Sequence, residues 1–329
     1  MKRLLTMHFS VLLFSLLLAI LTSLTFGSAL IPLADVFAAL TGGDVTDIRR
    51  TIVLDIRLPR ILLAILVGGG IAASGAAIQG LFRNPLADPA LIGVSSGAAL
   101  CAALYLVLGT ALLPGLTASA FVGGLLTTWL VLEIGRRGGT ISAMLLAGIA
   151  INALAIAGIG LLSYVSTDVQ LRSVTFWALG SLGGADWYSV AVASIIPVAI
   201  LLLFAERHKL NAITLGDQEA AYLGISVPGL RIRIVVLTAL AVSIGVALTG
   251  VIAFIGLVVP HLVRMTMGST HQVVIPASAI LGGLLLLIAD TLSRSVFAPA
   301  EVPVGILTAL LGGPFFILLI IRQKGKLGI

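Results

Sequence analysis

The stretch LGDQEAAYLGIS, residues 215–226, sets Asp217, Gln218 and Glu219 side by side in a chain of 329 residues that is 59% apolar and 10% charged. Thr214 stands three residues before Asp217, the spacing of a capping box. Asp217 and Glu219 suit the positive end of a helix. Gly224 suits a helix stop, and Pro228 prevents continuation. The pattern predicts a short helix over about 215–223. Leu215, Ala220, Tyr222 and Leu223 make it more apolar than a solvated loop requires. One reading is an interfacial helix resting on lipid. Such helices usually carry Lys and Arg toward anionic headgroups, not Asp and Glu. The other reading, a helix that docks a protein at the membrane surface, fits the acids better.

Outward from this segment the chain is a series of charge-free runs: 4–34, 61–82, 89–132, 138–167, 187–205, 234–263, 265–289 and 302–321. Mean hydropathy is +1.21. A helix needs about 20 apolar residues to cross a bilayer, so the fold class is all-α, a polytopic membrane protein. The 89–132 run, interrupted near Gly109 and Pro114, holds two spans. As one helix, the 234–263 run would be about 45 Å long against a hydrocarbon core of about 30 Å. Gly250, Gly256 and Pro260 offer breaks, which predicts a span near 232–252 and a short one near 257–268. Ten spans result, in a single domain over 1–329.

An even number returns both termini to one side. With Lys2, Arg3, Arg322, Lys324 and Lys326 in the cytoplasm, thirteen of the 19 Lys and Arg lie inside, the expected bias. Six remain outside: Arg49, Arg50, Arg57, Arg60, Arg172 and Arg294. The N-terminal charge-free run is longer than the apolar region of a signal peptide, about 7–15 residues, and reads as an uncleaved first span.

The net charge of +6 is scattered between apolar runs, not gathered in a basic stripe, so no nucleic-acid partner is expected. Cys101 is the one cysteine and excludes an internal disulfide. No G-x-x-x-x-G-K-[ST], H-E-x-x-H or G-x-S-x-G occurs. His8, His208, His261 and His271 have no ligand spacing. No catalytic residue and no metal site is therefore expected. Asp290 is the one acid well inside a span. Ion-coupled carriers need buried carboxylates along their pathway, and Asp290 suits instead a pair with Arg294 or the interface. The chain moves something, yet carries no energy source of its own. A secondary transporter is the weaker alternative.

Four blocks then resemble the FecCD-type permease family of ABC importers, which carries iron-siderophores, haem and cobalamin. They are DIRLPRILLAILVGGGIAASGAAIQGLFRNPLADPALIGVSSGA (55–98), the segment at 215–226, GVIAFIGLVVPHLVR (250–264) and ADTLSRSVFAPAEVPVGILTALLGGPFF (289–316). The resemblance implies a type II ABC importer permease with ten spans per subunit in a bacterial inner membrane. It implies a homodimer, two cytoplasmic ATPase subunits that bind ATP and Mg, and a periplasmic substrate-binding protein. No cofactor is bound by this chain itself. LRSVTFWALGSLGGA, within 166–187, resembles haem-transporting members, so haem is the expected cargo, with ferric siderophore and then cobalamin as alternatives.

The resemblance also places residues. Asp217, Gln218, Glu219, Ala220, Ala221, Tyr222, Leu223 and Gly224 form the coupling helix that meets the ATPase. Arg57, Arg60 and Arg294 correspond to arginines that dock the binding protein; alternatively they pair with Asp55 or Glu301. Arg172, on a short outer helix over about 169–180, could receive a haem propionate, with Phe176 or Trp177 against the ring. Arg172 could equally pair with Asp168. The span near 142–163 is expected to line the pathway with small residues, and Thr140, Ser142 and Met144 to form a cytoplasmic gate.

Overall fold

A computed structural model describes residues 2–109, 115–296 and 298–323. Pro114, Lys324 and Lys326 lie outside the described residues, as do the side chains of Lys2, Arg3 and Arg322. The described residues are helical throughout. The first helices are α1 (Lys2–Thr25), α2 (Leu33–Thr41) and α3 (Asp47–Thr51). A π-helical segment, Ile52–Arg57, leads without a break into α4 (Leu58–Leu81). A 3-10 turn at Pro89–Ile92 precedes α5 (Val94–Leu108), followed by α6 (Leu116–Gly138), α7 (Ile141–Val165) and α8 (Asp168–Ala178). Then come α9 (Trp187–Ala193), α10 (Ile195–Ala205), α11 (Arg207–Ile213) and α12 (Asp217–Tyr222). The chain ends with α13 (Val227–Thr249), α14 (Ile255–Met267), α15 (His271–Ser293) and α16 (Val304–Gln323).

Among the described residues, seven helical stretches are long and apolar enough to cross a membrane: those over α1, α3–α4, α6, α7, α9–α10, α13 and α15. Three shorter apolar helices, Val94–Leu108, Ile255–Met267 and Val304–Leu318, stand where the other expected spans fall. The protein is a multi-pass membrane protein.

The centre of the bundle is α4, buried over most of its length. Its small residues explain how. Gly68 and Gly69 lie against the backbone of α15 at Gly282 and Ala279, and a Cβ on Gly75 would overlap the Gly256 carbonyl on α14. Without a hydrophobic drive between helices in lipid, this close backbone contact supplies the packing energy. Residues of the stretches 74–89 and 249–264 meet here. The Gln79 amide donates to the Leu257 carbonyl at 3.2 Å.

The long 234–263 run breaks as its length demanded, but between α13 and α14 at Gly250–Phe254. Gly250 has φ 71°, and a Cβ there would strike the Trp177 carbonyl. The break admits the end of α8. The Ser181 amide donates to the Thr249 carbonyl at 2.7 Å. Gly256 and Pro260, also candidates for the break, lie inside α14.

Candidate functional site

The acidic segment forms α12, shorter than expected at its start. Gly216, not Thr214, is the N-cap, and the expected capping box is absent. Thr214 Oγ1 donates instead to the Asn211 carbonyl at 2.6 Å. At the far end Gly224 takes φ 81°, and the Ile225 amide closes on the Ala220 carbonyl at 3.1 Å, a turn that ends helices in the left-handed conformation. Ala220 is buried and anchors the helix. Gln218, Glu219, Ala221 and Gly224 are exposed, and Tyr222 is 88% and Leu223 66% exposed.

Asp217 faces the other way. It pairs with Arg231 on α13 and lies 3.6 Å from Arg83, just beyond α4. The helix is thus tied to the two most buried spans while offering an apolar and acidic surface outward. Arg231 also lines a cavity of about 140 Å³ with Gly139, Thr140 and Met144 at the α6–α7 corner. Nearby, Glu206 at the α10–α11 junction pairs with Lys209 and Arg233. Burial alone would raise its carboxyl, but the two cations together hold it below the usual range.

The α6–α7 corner holds the three residues expected to form the gate. Met144 is buried, packed against Gly135 of α6, and fills a helix contact. Thr140 caps α7 by accepting from the Ala143 amide at 3.1 Å, and Ser142 is exposed. On α7, Ala147, Gly148 and Ala155 face inward, while small Ala150, Ala153, Ala157 and Gly160 are exposed together with Leu146, Leu154, Leu161 and Tyr164.

At the opposite end of the bundle stand the three arginines expected to dock the binding protein. Arg57, Arg60 and Arg294 are 3%, 6% and 4% exposed. Arg57 donates to the Leu24 carbonyl in the last turn of α1 and to the Ala29 carbonyl beyond it. Arg60 forms a two-pronged bond to Asp290, with Nε and Nη2 at 2.9–3.0 Å, and reaches Glu301 at 2.9 Å. Arg294 holds Ser23 of α1 and lies 3.7 Å from Asp290. These guanidiniums are bonded largely within the chain. They staple α1, α4 and α15 together. Asp290 thus takes Arg60 as its main partner, with the expected Arg294 second. Arg49 pairs with Asp35 on α2, and Arg50 donates to the Gly43 carbonyl at 2.7 Å.

Arg172 behaves differently. It is exposed on α8, and among the described residues it forms no ion pair, with Asp168 or otherwise. A capping box at Thr167 and Gln170 sets the helix start, and the Gln170 amide donates to the Val107 carbonyl at 2.9 Å. Phe176, four residues on and 62% exposed, shares the Arg172 face. Trp177 is half-buried against the core, so Phe176 is the free ring of the two.

Sequence reasoning missed Arg231 and Arg83 as partners of Asp217. Nothing marks them among the other inside arginines. For Arg60 the signal was present, since Asp290 interrupts an apolar run and Glu301 follows soon after.

The bundle of close-packed apolar helices with one exposed helix between its spans, taken with the relatives that follow, is that of an ATP-binding-cassette importer permease. The chain belongs to the FecCD transport family, whose profile matches residues 15–322. It is 49% identical over 317 residues to the hemin transport system permease protein HmuU of Yersinia pestis, covering 94% of this chain and 95% of that one. It is 38% identical over 310 residues to the vitamin B12 import system permease protein BtuC of Yersinia enterocolitica, covering 91% and 92%. Among solved structures, "an inward-facing conformation of a putative metal-chelate type ABC transporter" matches with a TM-score of 0.86 at 33% identity, covering 96% of this chain and 99% of that one.

Proposed function

We propose that this permease carries haem across a bacterial inner membrane. The observation that carries haem is the 49% identity to a hemin permease, against 38% to a vitamin B12 permease. In this reading the chain crosses the membrane ten times with both termini in the cytoplasm. It pairs with a second copy around the pathway, and a periplasmic binding protein delivers cargo.

Two ATPase subunits, holding ATP and Mg, each receive α12 from one permease. Tyr222, Leu223 and Glu219 supply that contact because they are exposed while Ala220 and Asp217 hold the helix in place. Nucleotide-driven movement of α12 passes through Asp217 to Arg231, and so to the α6–α7 corner where Thr140 and Ser142 stand. At the outer mouth Arg172 forks onto a propionate and Phe176 meets the porphyrin face. Two copies present two arginines to two propionates. Arg57, Arg60 and Arg294, at the end of the bundle opposite α12, stand where the binding protein docks in this reading.

The test is growth of a strain lacking this gene on haem as sole iron source, with a ferric siderophore and a cobalamin-dependent medium as controls. Loss on haem alone is expected. Loss on the siderophore or on cobalamin alone reassigns the cargo and leaves the importer reading intact. In the complemented strain, Arg172→Ala lowers haem uptake and leaves protein abundance unchanged.

A further inference from the structure

Between the end of α4, the end of α11 and the turn from α14 to α15 lies a cavity of about 520 Å³. It sits at the α12 end of the bundle, and the transport reading makes no use of it. Its charged walls are Arg83 and Arg264. Asn84, Asn211 and Ser269 add amides and a hydroxyl, the Thr214 hydroxyl being already bonded to the Asn211 carbonyl, and among the described residues no aspartate or glutamate lines it.

The charge here is out of balance. Among the described residues the half-buried Arg264 guanidinium meets only neutral acceptors, the Gln79 side chain and the Ala76 carbonyl, the latter at 3.4 Å. Arg83 faces one carboxylate, Asp217 at 3.6 Å, which Arg231 already holds. A partly desolvated cation without a counter-ion is costly. The cavity therefore suits an anion. Guanidinium forks match phosphate oxygens, and amide and hydroxyl donors suit the oxygens that remain. The cavity also lies where α4 and α14 end and α15 begins, which is headgroup depth for three apolar helices. Basic pockets between spans at that depth hold anionic headgroups.

We propose that this cavity binds a phosphate-bearing anion, supplied by an anionic phospholipid headgroup. The inference rests on the membrane reading of the fold and not on the cargo. The test uses the full chain, purified and delipidated in detergent, and native mass spectrometry. Phosphatidylglycerol and phosphatidylcholine are offered at equal concentration, with inorganic phosphate as a separate arm.

Preferential retention of phosphatidylglycerol is expected, weakened about fivefold by Arg83→Gln and again by Arg264→Gln. Because Arg264 also holds Gln79, Ser269→Glu serves as a second variant. It adds a carboxylate at the exposed rim, removes no core contact, and weakens retention likewise. Arginine-dependent binding of inorganic phosphate without lipid preference keeps the site and makes free phosphate the source. Equal retention of both lipids with no phosphate binding, or unchanged retention by folded Ser269→Glu, overturns the proposal.

Discussion

The two ends of this molecule use charge in opposite ways. Around Asp290, three guanidiniums and a carboxylate are buried and bonded to one another or to backbone carbonyls. On α12, Glu219 and Gln218 stand in the open beside exposed Leu215, Tyr222 and Leu223. The first set is satisfied within the chain, so its loss should damage the protein. The second is unsatisfied, so its loss should damage only what binds there. Sequence alone had cast both as docking surfaces.

The hardest blow to this contrast would come at Asp290. Asp290→Ala strands Arg60 and Arg294 without their buried partner, which costs about 3–5 kcal/mol when one member of such a pair is removed. Thermal unfolding in detergent should show a large fall in Tm and in folded yield. A wild-type Tm would break the comparison, since the cluster would then be ornamental.

Next in size is the double change Glu219→Ala and Tyr222→Ala. Exposed surface substitutions shift stability by no more than about 0.5 kcal/mol, whereas loss of interface anchors costs about 2 kcal/mol or more in binding. Stability should hold while capture of the ATPase and haem uptake collapse. Intact uptake with intact capture would remove α12 from the docking surface.

Asp217→Asn sharpens the contrast, because Asp217 belongs to both kinds of region. Its partners are partly exposed, so the stability loss should be about 0.2–1 kcal/mol. The ATPase should still bind, but uptake per ATP hydrolysed should fall. An unchanged ratio would show that movement reaches the α6–α7 corner by another route.

The smallest effect concerns acid. The Glu206 carboxyl is held below its usual range by Lys209 and Arg233. A depressed carboxylate contributes stability above its unfolded pKa and loses it as pH falls through the folded value. Stability should therefore slip on acidification below about pH 4, near the unfolded glutamate value, and Glu206→Gln should flatten that limb of the profile. An identical profile would assign the acid loss to other carboxylates.

Much of this architecture was legible because it depends on local composition. Charge-free runs mark where helices lie, and a run of 30 residues must break because the bilayer is thinner than the helix would be. Gly224 ends α12 because it can take a left-handed backbone, which the chain reveals residue by residue. The start of α12 was misread because Thr214 has two acceptable uses, capping forward or bonding back to Asn211, and local spacing cannot choose between them. Met144 was placed at the gate by its position, and only the folded bundle shows that it also packs closely against Gly135.

The sequence by itself determined the class of protein, the placement of its apolar helices and the presence of one short acidic helix between them. Only the tertiary structure decided which charges are structural and which are free. Arg60 and Asp290 are 230 residues apart. Nothing near either one announces the other, because an ion pair needs proximity in space and desolvation by surrounding helices, and both arise only when the bundle has assembled.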